Sequence, residues 1–541
     1  MSFAEALWTT EGGLTRHRPL YGWAVAVIAG TALGFFVGLP WVWLVAATGG
    51  MVRAWGRPKL SAKQLSLALW VVALLLTAWR AGLYHDRNAA VLARLREEQA
   101  SGNTFPLVVT VSNDRQIVPR KRGGPYCRFS VDSAWFADGT AVHGTNLRVS
   151  FYDRAGNFPQ VGERWRLQVK PRRGAPLYRL ALSARGETAE RLEVPGGVER
   201  SQYWLAGLRE RLAEHLALGV AREDALLLQT MLLGRRTTMP YEARQRYADA
   251  GIIHIFAISG LHVGIVAGFL IWVMGALGVR LRWRAVVLAP ALVGYLLLTG
   301  IPPSAARACS MAILYCLAPT VLRQASAPAA LFATAAGVLL IEPGWIANVG
   351  AILSFTVMGG ILLCMAPMER VLAGWMGAGE SERDPGALPA PPSWHVRLRR
   401  RLAALVALTL SAWLAAAPLS LYFFGRLSFV GLALNLLIPG LTLGIVWCAC
   451  VSAVAGFAFA PISELCNRAG VALLRVLDLC SEFALSLPGS TVELAPMERP
   501  GLTVTLLLEF ALLLFGLWLR VKTSAAASGE AAALVSIDDR R

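Results

Sequence analysis

SFVGLALNLLIPGLTLGIVWCACVSAVAG, residues 428–456, runs for 29 residues without one charged side chain. A helix of that length reaches about 43 Å, and about 20 apolar residues already cross a bilayer core. So long an uncharged run sets the class: a chain whose main part is helix in a membrane. Asn435 and Pro439-Gly440 interrupt the run. Interrupted spans are tolerated where they line a cavity or are buried in protein, and a plain proline kink is the alternative.

Similar apolar runs flank this one at 252–278, 285–300, 305–322, 328–342, 348–366, 402–424, 462–486 and 502–519. Nearer the start, residues 21–51 are apolar for about 46 Å, too long for one span, and Pro40 divides them into a hairpin of two; 65–83 reads as a third span. The sum is a polytopic α-helical membrane protein of about 12 spans. Basic residues orient it. Arg53, Arg57, Lys59 and Lys63 precede the third span. Arg280, Arg282, Arg284, Arg323, Arg397, Arg399, Arg400, Arg401, Arg520 and Lys522 all fall on the same side if residue 252 starts outside. Cytoplasmic loops collect such residues, so both termini are expected inside; Arg426, on the outer side, is the exception. The first apolar stretch runs into a second with no small-residue cleavage site between, so no cleavable signal is expected.

Composition agrees. Of 541 residues 55% are hydrophobic and 16% charged, with mean hydropathy +0.51; soluble domains carry about 25% charged residues. Seven of the eight cysteines fall in apolar stretches and none forms a C-x-x-C pair, while Cys127 stands alone in the long polar segment. A disulfide framework is excluded. The net charge of +18 exceeds what one set of cytoplasmic loops needs, and part of it lies elsewhere.

That part is residues 86–200. Five short runs, 104–112, 125–136, 145–152, 161–170 and 177–185, are separated by Gly, Pro, Asn and Asp signals and read as strands. Five strands in so few residues suit a small barrel, with an OB-like all-β domain on the extracytoplasmic side as the leading candidate and a meander or sandwich edge as the alternative. Over 104–186 the basic excess is a net +9 where the positive-inside rule expects none. Arg120, Lys121, Arg122, Arg128, Arg164, Arg166, Lys170, Arg172 and Arg173 are the candidate DNA-binding residues, interleaved with Tyr126, Phe129, Trp135, Phe136, Phe151, Tyr152, Trp165 and Tyr178. Cations follow a phosphate backbone and aromatic rings stack bases; anionic lipid headgroups compete for the same cations. The domains are then 1–85 (hairpin and third span), 86–200 (β-domain), 201–250 (amphipathic connecting helices), 251–520 (transmembrane domain) and 521–541 (a polar tail expected to be disordered). Residues 201–218 place Trp204, Leu205, Leu208, Leu212 and Leu216 at helical spacing, for the membrane surface or a cap on the bundle.

Catalytic signatures are missing. There is no P-loop, no H-E-x-x-H and no G-x-S-x-G, so the chain is not read as its own motor or as an enzyme, and no metal or cofactor is expected. What remains are polar residues in apolar surroundings. In AGIIHIFAISGLHVG (250–264), a continuous helix would put His254, Ser259 and His262 on one polar stripe, with Gly260, Gly264 and Gly268 opposite for close helix packing. Hydrogen bonding to neighbouring helices is the plainer reading of the same side chains. A Ser259–His262 hydrolase is a remote rival. In TGIPPSAARA (299–308), Pro302-Pro303 breaks the chain, Ser304 is placed to cap the next helix, and Arg307 sits near a helix start, where the dipole disfavours a cation. It asks for an anionic partner or snorkels to water.

Four stretches carry a resemblance: LLLQTMLLGRRTTMP leading to GIIHIFAISGLHVG (227–264), LLLTGIPPSAARACSM (296–311), IEPGWIANVGAILSF (341–355) and APLSLYFFGRLSFVGLALNLLIPG (417–440). They keep their order over about 215 residues, and the sequence is similar to the ComEC competence proteins, inner-membrane channels for DNA uptake. The resemblance implies transport of single-stranded DNA across the cytoplasmic membrane. It implies a periplasmic DNA receptor and a cytoplasmic helicase-type motor as partners, with membrane lipid around the spans. His254, Ser259, Gly260, His262, Arg307, Ser354, Asn435 and Pro439 are then the channel-lining or gating candidates, and Gly264 and Gly268 the helix-packing ones. Many members carry a metallo-β-lactamase-like domain whose metal ligands are not in this sequence, so either a separate nuclease acts with the chain or this homologue does not need one. Some relatives have a disulfide in the β-domain, for which Cys127 has no partner within that segment. The stretch Ala351-Ile352-Leu353-Ser354-Phe355 lacks a glutamine that the family places before Leu-Ser-Phe, so a polar pore contact is expected to be lost there. The rival readings are a transporter or scaffold for another polyanion or for anionic lipid.

Overall fold

The computed structural model describes residues 104–111, 116–118, 126–142, 147–153, 155–160, 163–171, 181–192, 198–235, 239–317, 326–377, 393–494 and 501–519, with scattered residues between 27 and 101. The expected hairpin, most of the third span and the 521–541 tail lie outside the described residues.

The five expected strands are β1 (Phe105–Val111), β3 (Tyr126–Phe136), β5 (Arg148–Tyr152), β6 (Arg164–Pro171) and β7 (Ala181–Arg185), supplemented by the short β2 (Gln116–Val118), β4 (Ala141–Val142) and β8 (Glu190–Leu192). β1 pairs antiparallel with both β3 and β6, β3 pairs antiparallel with β5, β5 pairs parallel with β7, and β7 pairs antiparallel with β6. The five strands therefore form a closed cycle with one parallel contact. Alternation fills its interior: Leu107, Val109, Phe129, Val149, Phe151, Leu167, Val169 and Leu182 are buried, because every second side chain of a strand faces the same way. Cys127 is also a core residue. Arg94 reaches the barrel from outside, pairing with Asp138 at 2.6 Å and lying over Phe136. The Arg94 hydrogen bond, helped by the Thr140 amide, holds the Asp138 carboxyl well below the usual carboxylate range.

Among the described residues twelve helices follow: α1 (Val198–His215), α2 (Arg222–Leu233), α3 (Tyr241–Asp249), α4 (Gly260–Ala276), α5 (Leu281–Leu298), α6 (Pro303–Leu317), α7 (Ala327–Ile341), α8 (Val349–Trp375), α9 (Trp394–Phe424), α10 (Val430–Ala455), α11 (Ala460–Leu485) and α12 (Leu502–Leu519). Among the described residues four of them, α8, α9, α10 and α12, are long and apolar enough to cross a membrane. The expected count of about twelve spans goes beyond these four, and its first spans fall largely outside the described residues. The apolar parts of α4, α5 and α7 are shorter, and α11 carries too many charges. The class stands: a mostly helical membrane protein with a small β-sheet region.

The ends that the charge rule assigns to one side are brought together. Antiparallel β9 (Arg426–Ser428) and β10 (Thr491–Glu493) join the start of α10 to the chain beyond α11. Ser428 touches Gly251, and Ser304 donates to the Ile258 carbonyl. Arg426, the basic residue on the unexpected side, lies 2.9 Å from Asp249 and 3.0 Å from Glu493, so its charge is locally balanced. Helix α1 is neither free on a surface nor a loose cap. Leu216 just beyond it is fully buried, and Arg209 within it is buried and donates to the Leu233 carbonyl at 2.6 Å. At its far end Asn467 Nδ2 donates to the carbonyls of His215 and Leu218, at 2.8 and 2.9 Å. These are groups that a helix end leaves without intrahelical donors.

Asn467→Leu strands the Leu218 carbonyl in an apolar interface. It is expected to cost about 1–3 kcal/mol, read as a drop of several degrees in the thermal midpoint of the detergent-solubilised chain.

Candidate functional site

The 250–264 segment is not one helix. Gly251, at φ +75°, takes the left-handed conformation that ends α3, and the Ile252 amide bonds back to the Tyr247 carbonyl at 2.9 Å. A Cβ on Gly251 would lie 2.5 Å from that of Ser428, so space as well as φ requires glycine. A 3-10 turn, Ile253–Phe256, buries Ile255 and Phe256; Ala257 and Ser259 are extended, and α4 starts at Gly260. The single polar stripe expected of a continuous helix does not form. His254 is exposed, its Nδ1 3.2 Å from the Gly251 carbonyl, and belongs to the turn. Ser259 and His262 instead meet across the cap of α4. Ser259 Oγ is 3.0 Å from His262 Nδ1, and the Ser259 amide points at the same nitrogen from 3.4 Å. The imidazole takes the place that Glu or Gln usually holds in a capping box, and the network assigns its proton to Nε2. A hydroxyl and an imidazole three residues apart align here because Ser259 is outside the helix. His262 is fully buried, and this Ser–His contact serves the helix end.

Gly264 and Gly268 meet no neighbouring helix closely among the described residues. Nothing lies within 4 Å of a Cβ built at either, among the described residues. The close approach is at Gly260, where a Cβ would meet Arg307 Nη2 at 3.3 Å. Arg307, on α6, is buried; its Nε donates to Ser354 Oγ at 2.7 Å, and Nη1 lies 3.7 Å from Met311 Sδ. Ser354 is on α8, whose Asn348 cap accepts from the Gly350 and Ala351 amides. Gly260 opens α4, and Arg307 and Ser354 lie in the second turns of α6 and α8, so the N-terminal, positive dipole ends of three helices lie near one guanidinium. No carboxylate among the described residues lies within ion-pair distance of Arg307. Ser304 does not cap α6 as the sequence suggests. The helix begins at Pro303, and the Ser304 hydroxyl reaches across to Ile258. Upstream, Gly300 (φ +79°) and Ile301 (φ +52°) are both left-handed, closing α5 with bonds from Ile301 to Leu296 and from Gly300 to Leu297. A β-branched residue in that region is strained.

Asn435 and Pro439 do not interrupt α10, which runs unbroken through both. The two form one feature. Proline lacks the amide that would bond four residues back, so the Asn435 carbonyl loses its helical donor. Both side chains are half-buried.

In the β-domain, Arg120, Lys121, Arg122, Arg172 and Arg173 lie outside the described residues. Arg128 is on the outer side of β3, its Nη2 2.8 Å from Tyr126 Oη; Tyr126 stacks on Tyr152 with centroids 5.1 Å apart, and Arg185 is level with Tyr152 on the next strand. Sequence reading counted these residues without grouping them, because the parallel β5–β7 pairing that aligns them joins distant segments. Arg164 lies over the Trp135 ring at 4.3 Å. Arg166 is engaged by Glu190 at 2.7 Å, so part of the expected cationic surface is neutralised. Lys170 is exposed.

These features define a helical membrane protein that carries a small closed β-sheet domain and a buried arginine among helix starts. The chain belongs to the competence protein family, the ComEC family: the family profile described as "Competence protein" matches residues 231–522, which include α4 to α12. It is also 26% identical over 271 residues to "ComE operon protein 3" of Bacillus subtilis (strain 168). That match covers 50% of this chain and 31% of the relative, so the chain spans about a third of the length of the curated relative it matches. No solved structure matches.

Ser354→Ala removes the hydrogen bond to a buried guanidinium. It is expected to lower stability by about 1.5–3 kcal/mol, while Ser354→Thr keeps the hydroxyl and most of the stability; thermal unfolding in detergent checks both. Gly260→Val is expected to displace Arg307 and destabilise at least as much.

Proposed function

We propose that this chain carries single-stranded DNA across the cytoplasmic membrane during competence, acting as a channel and not as an enzyme. Family membership supports DNA uptake as the process. The observation that carries the reading is Arg307, a buried cation with no carboxylate partner among the described residues, at the converging starts of α4, α6 and α8. An uncompensated positive locus of this kind suits passing phosphates.

The β-domain supports a role in capture. Its cycle β1-β3-β5-β7-β6, with the parallel β5–β7 contact, fits an OB-like barrel. In OB-folds the face of the second and third strands and the flanking loops bind oligonucleotides. Here that face carries Tyr126, Arg128 and Tyr152, and the segments joining β1 to β3 and β6 to β7 carry Arg115, Arg120, Lys121, Arg122, Arg172, Arg173 and Arg179. The domain would face the extracytoplasmic side and take DNA from a receptor. A helicase-type motor would draw the strand from the other side, and a separate nuclease would remove its complement.

In a strain lacking this chain, DNase-resistant DNA should persist outside the cytoplasmic membrane and vanish from the cytoplasm. Wild type should restore the cytoplasmic pool, and Arg307→Ala should restore little of it. Unchanged pools in a competent host would count against the reading. For the barrel, Tyr126→Ala with Tyr152→Ala in the full chain is expected to weaken binding of a fluorescent single-stranded oligonucleotide about tenfold or more, since a stacked base contributes about 1–3 kcal/mol. Wild-type affinity should fall steeply with added salt. Equal affinity for anionic vesicles would favour a lipid role instead.

A further inference from the structure

Helix α11 holds five charged residues, Glu464, Arg468, Arg475, Asp478 and Glu482. At about 100° per residue they fall within about 40° of a single line along the helix, and the line is about 27 Å long. Ser463, Asn467, Gly470, Leu474, Leu477 and Ser481 occupy a second, buried face. Leu465, Val476 and Phe483 occupy a third face, apolar and outward. So α11 has one face for protein and two open faces of opposite chemistry.

Depth makes this arrangement informative. α11 lies antiparallel to α10, one of the four helices fit to cross a membrane. Ser463 Oγ is 2.7 Å from Ser452 Oγ, a Cβ on Gly470 would touch Cys448, and one on Gly444 would meet Leu473. This register sets Arg475 level with the neighbourhood of Thr442, halfway along α10. The Arg475 side chain is nevertheless 73% exposed, and that of Arg468 66%. An exposed arginine at mid-depth against hydrocarbon is among the least favourable placements a protein can have. The Arg475 guanidinium is 3.9 Å from Asp224 of α2, a loose contact that does not cover it. Across from the stripe, α3 adds Arg246, bonded to Glu482 at 2.6 Å, and Tyr247, bonded to Asp478.

We infer that the charged stripe of α11 is one wall of an aqueous path through the membrane domain, with α2 and α3 on its other side and Arg468 and Arg475 facing the water. Resting on the function proposed above, these two arginines are the groups that an anionic strand meets along that wall. The acids beside them limit the grip. A conducting path must bind well enough to admit its cargo and weakly enough to release it.

The test compares faces of the same helix. Arg475→Cys and Val476→Cys, made in the full chain in native membranes, are exposed to a charged, membrane-impermeant methanethiosulfonate applied to both sides. Wild type supplies the background of the eight native thiols. Val476 is 43% exposed and Leu465 69%, so both reach the molecular surface as the arginines do. Only water ionises a thiol, and the thiolate is what reacts. Modification at 475 is expected to be at least about tenfold faster than at 476. Arg468→Cys against Leu465→Cys gives the same comparison should the first pair fail to accumulate. Equal rates on the two faces, or a faster rate at the apolar positions, overturn the inference. Labelling does not depend on DNA. A positive result with unchanged DNA pools in the deletion strain would keep the aqueous path and discard the anionic cargo.

Discussion

One buried guanidinium organises the transmembrane domain. Arg307 reaches from α6 to a serine hydroxyl on α8, and it packs where α4 begins without a side chain. Each contact restricts a different helix. A side chain at Gly260 would press on the guanidinium, the serine must keep its oxygen, and the chain before α4 must be extended so that the helix starts level with Arg307. The strained turn at Gly300 and Ile301 and the proline at the start of α6 set the height at which the arginine enters. A charge buried among helix starts is costly, and hydrogen bonding to Ser354 offsets only part of that cost.

Much of this was legible in the sequence, for identifiable reasons. Strands β1, β3, β5, β6 and β7 appeared nearly at their true limits because turn residues bracket them and apolar residues alternate within them. Arg307, Ser354 and Gly260 could be picked out singly because each is unusual in apolar surroundings, though nothing in local spacing says that they touch. The 250–264 segment misled because its composition is helical throughout. A left-handed glycine pressed against Ser428, 177 positions further on in the chain, decides where the helix breaks, and no local pattern contains that neighbour. Pro439 misled in the opposite sense, since α10 absorbs it.

The charges on α11 show a further limit of hydropathy. Averaged along the helix they look like a moderately apolar span; only the partition into three faces reveals their order, and only the register against α10 gives their depth. Arg426 is the complementary case. Counted as a loop charge it contradicts the orientation of the chain, while Asp249 and Glu493 beside it remove the contradiction.

The β9–β10 pairing has a mechanical consequence. It joins the chain just before α10 to the chain just after α11, while the tight turn at 456–459 joins them at the other end. The helical pair is thereby fastened at both extremities, like a ladder with a rung at the top and at the foot. It cannot open like scissors. Any widening of the membrane domain must move α10 and α11 together as a single stiff plank, hinged on the helices at its edges.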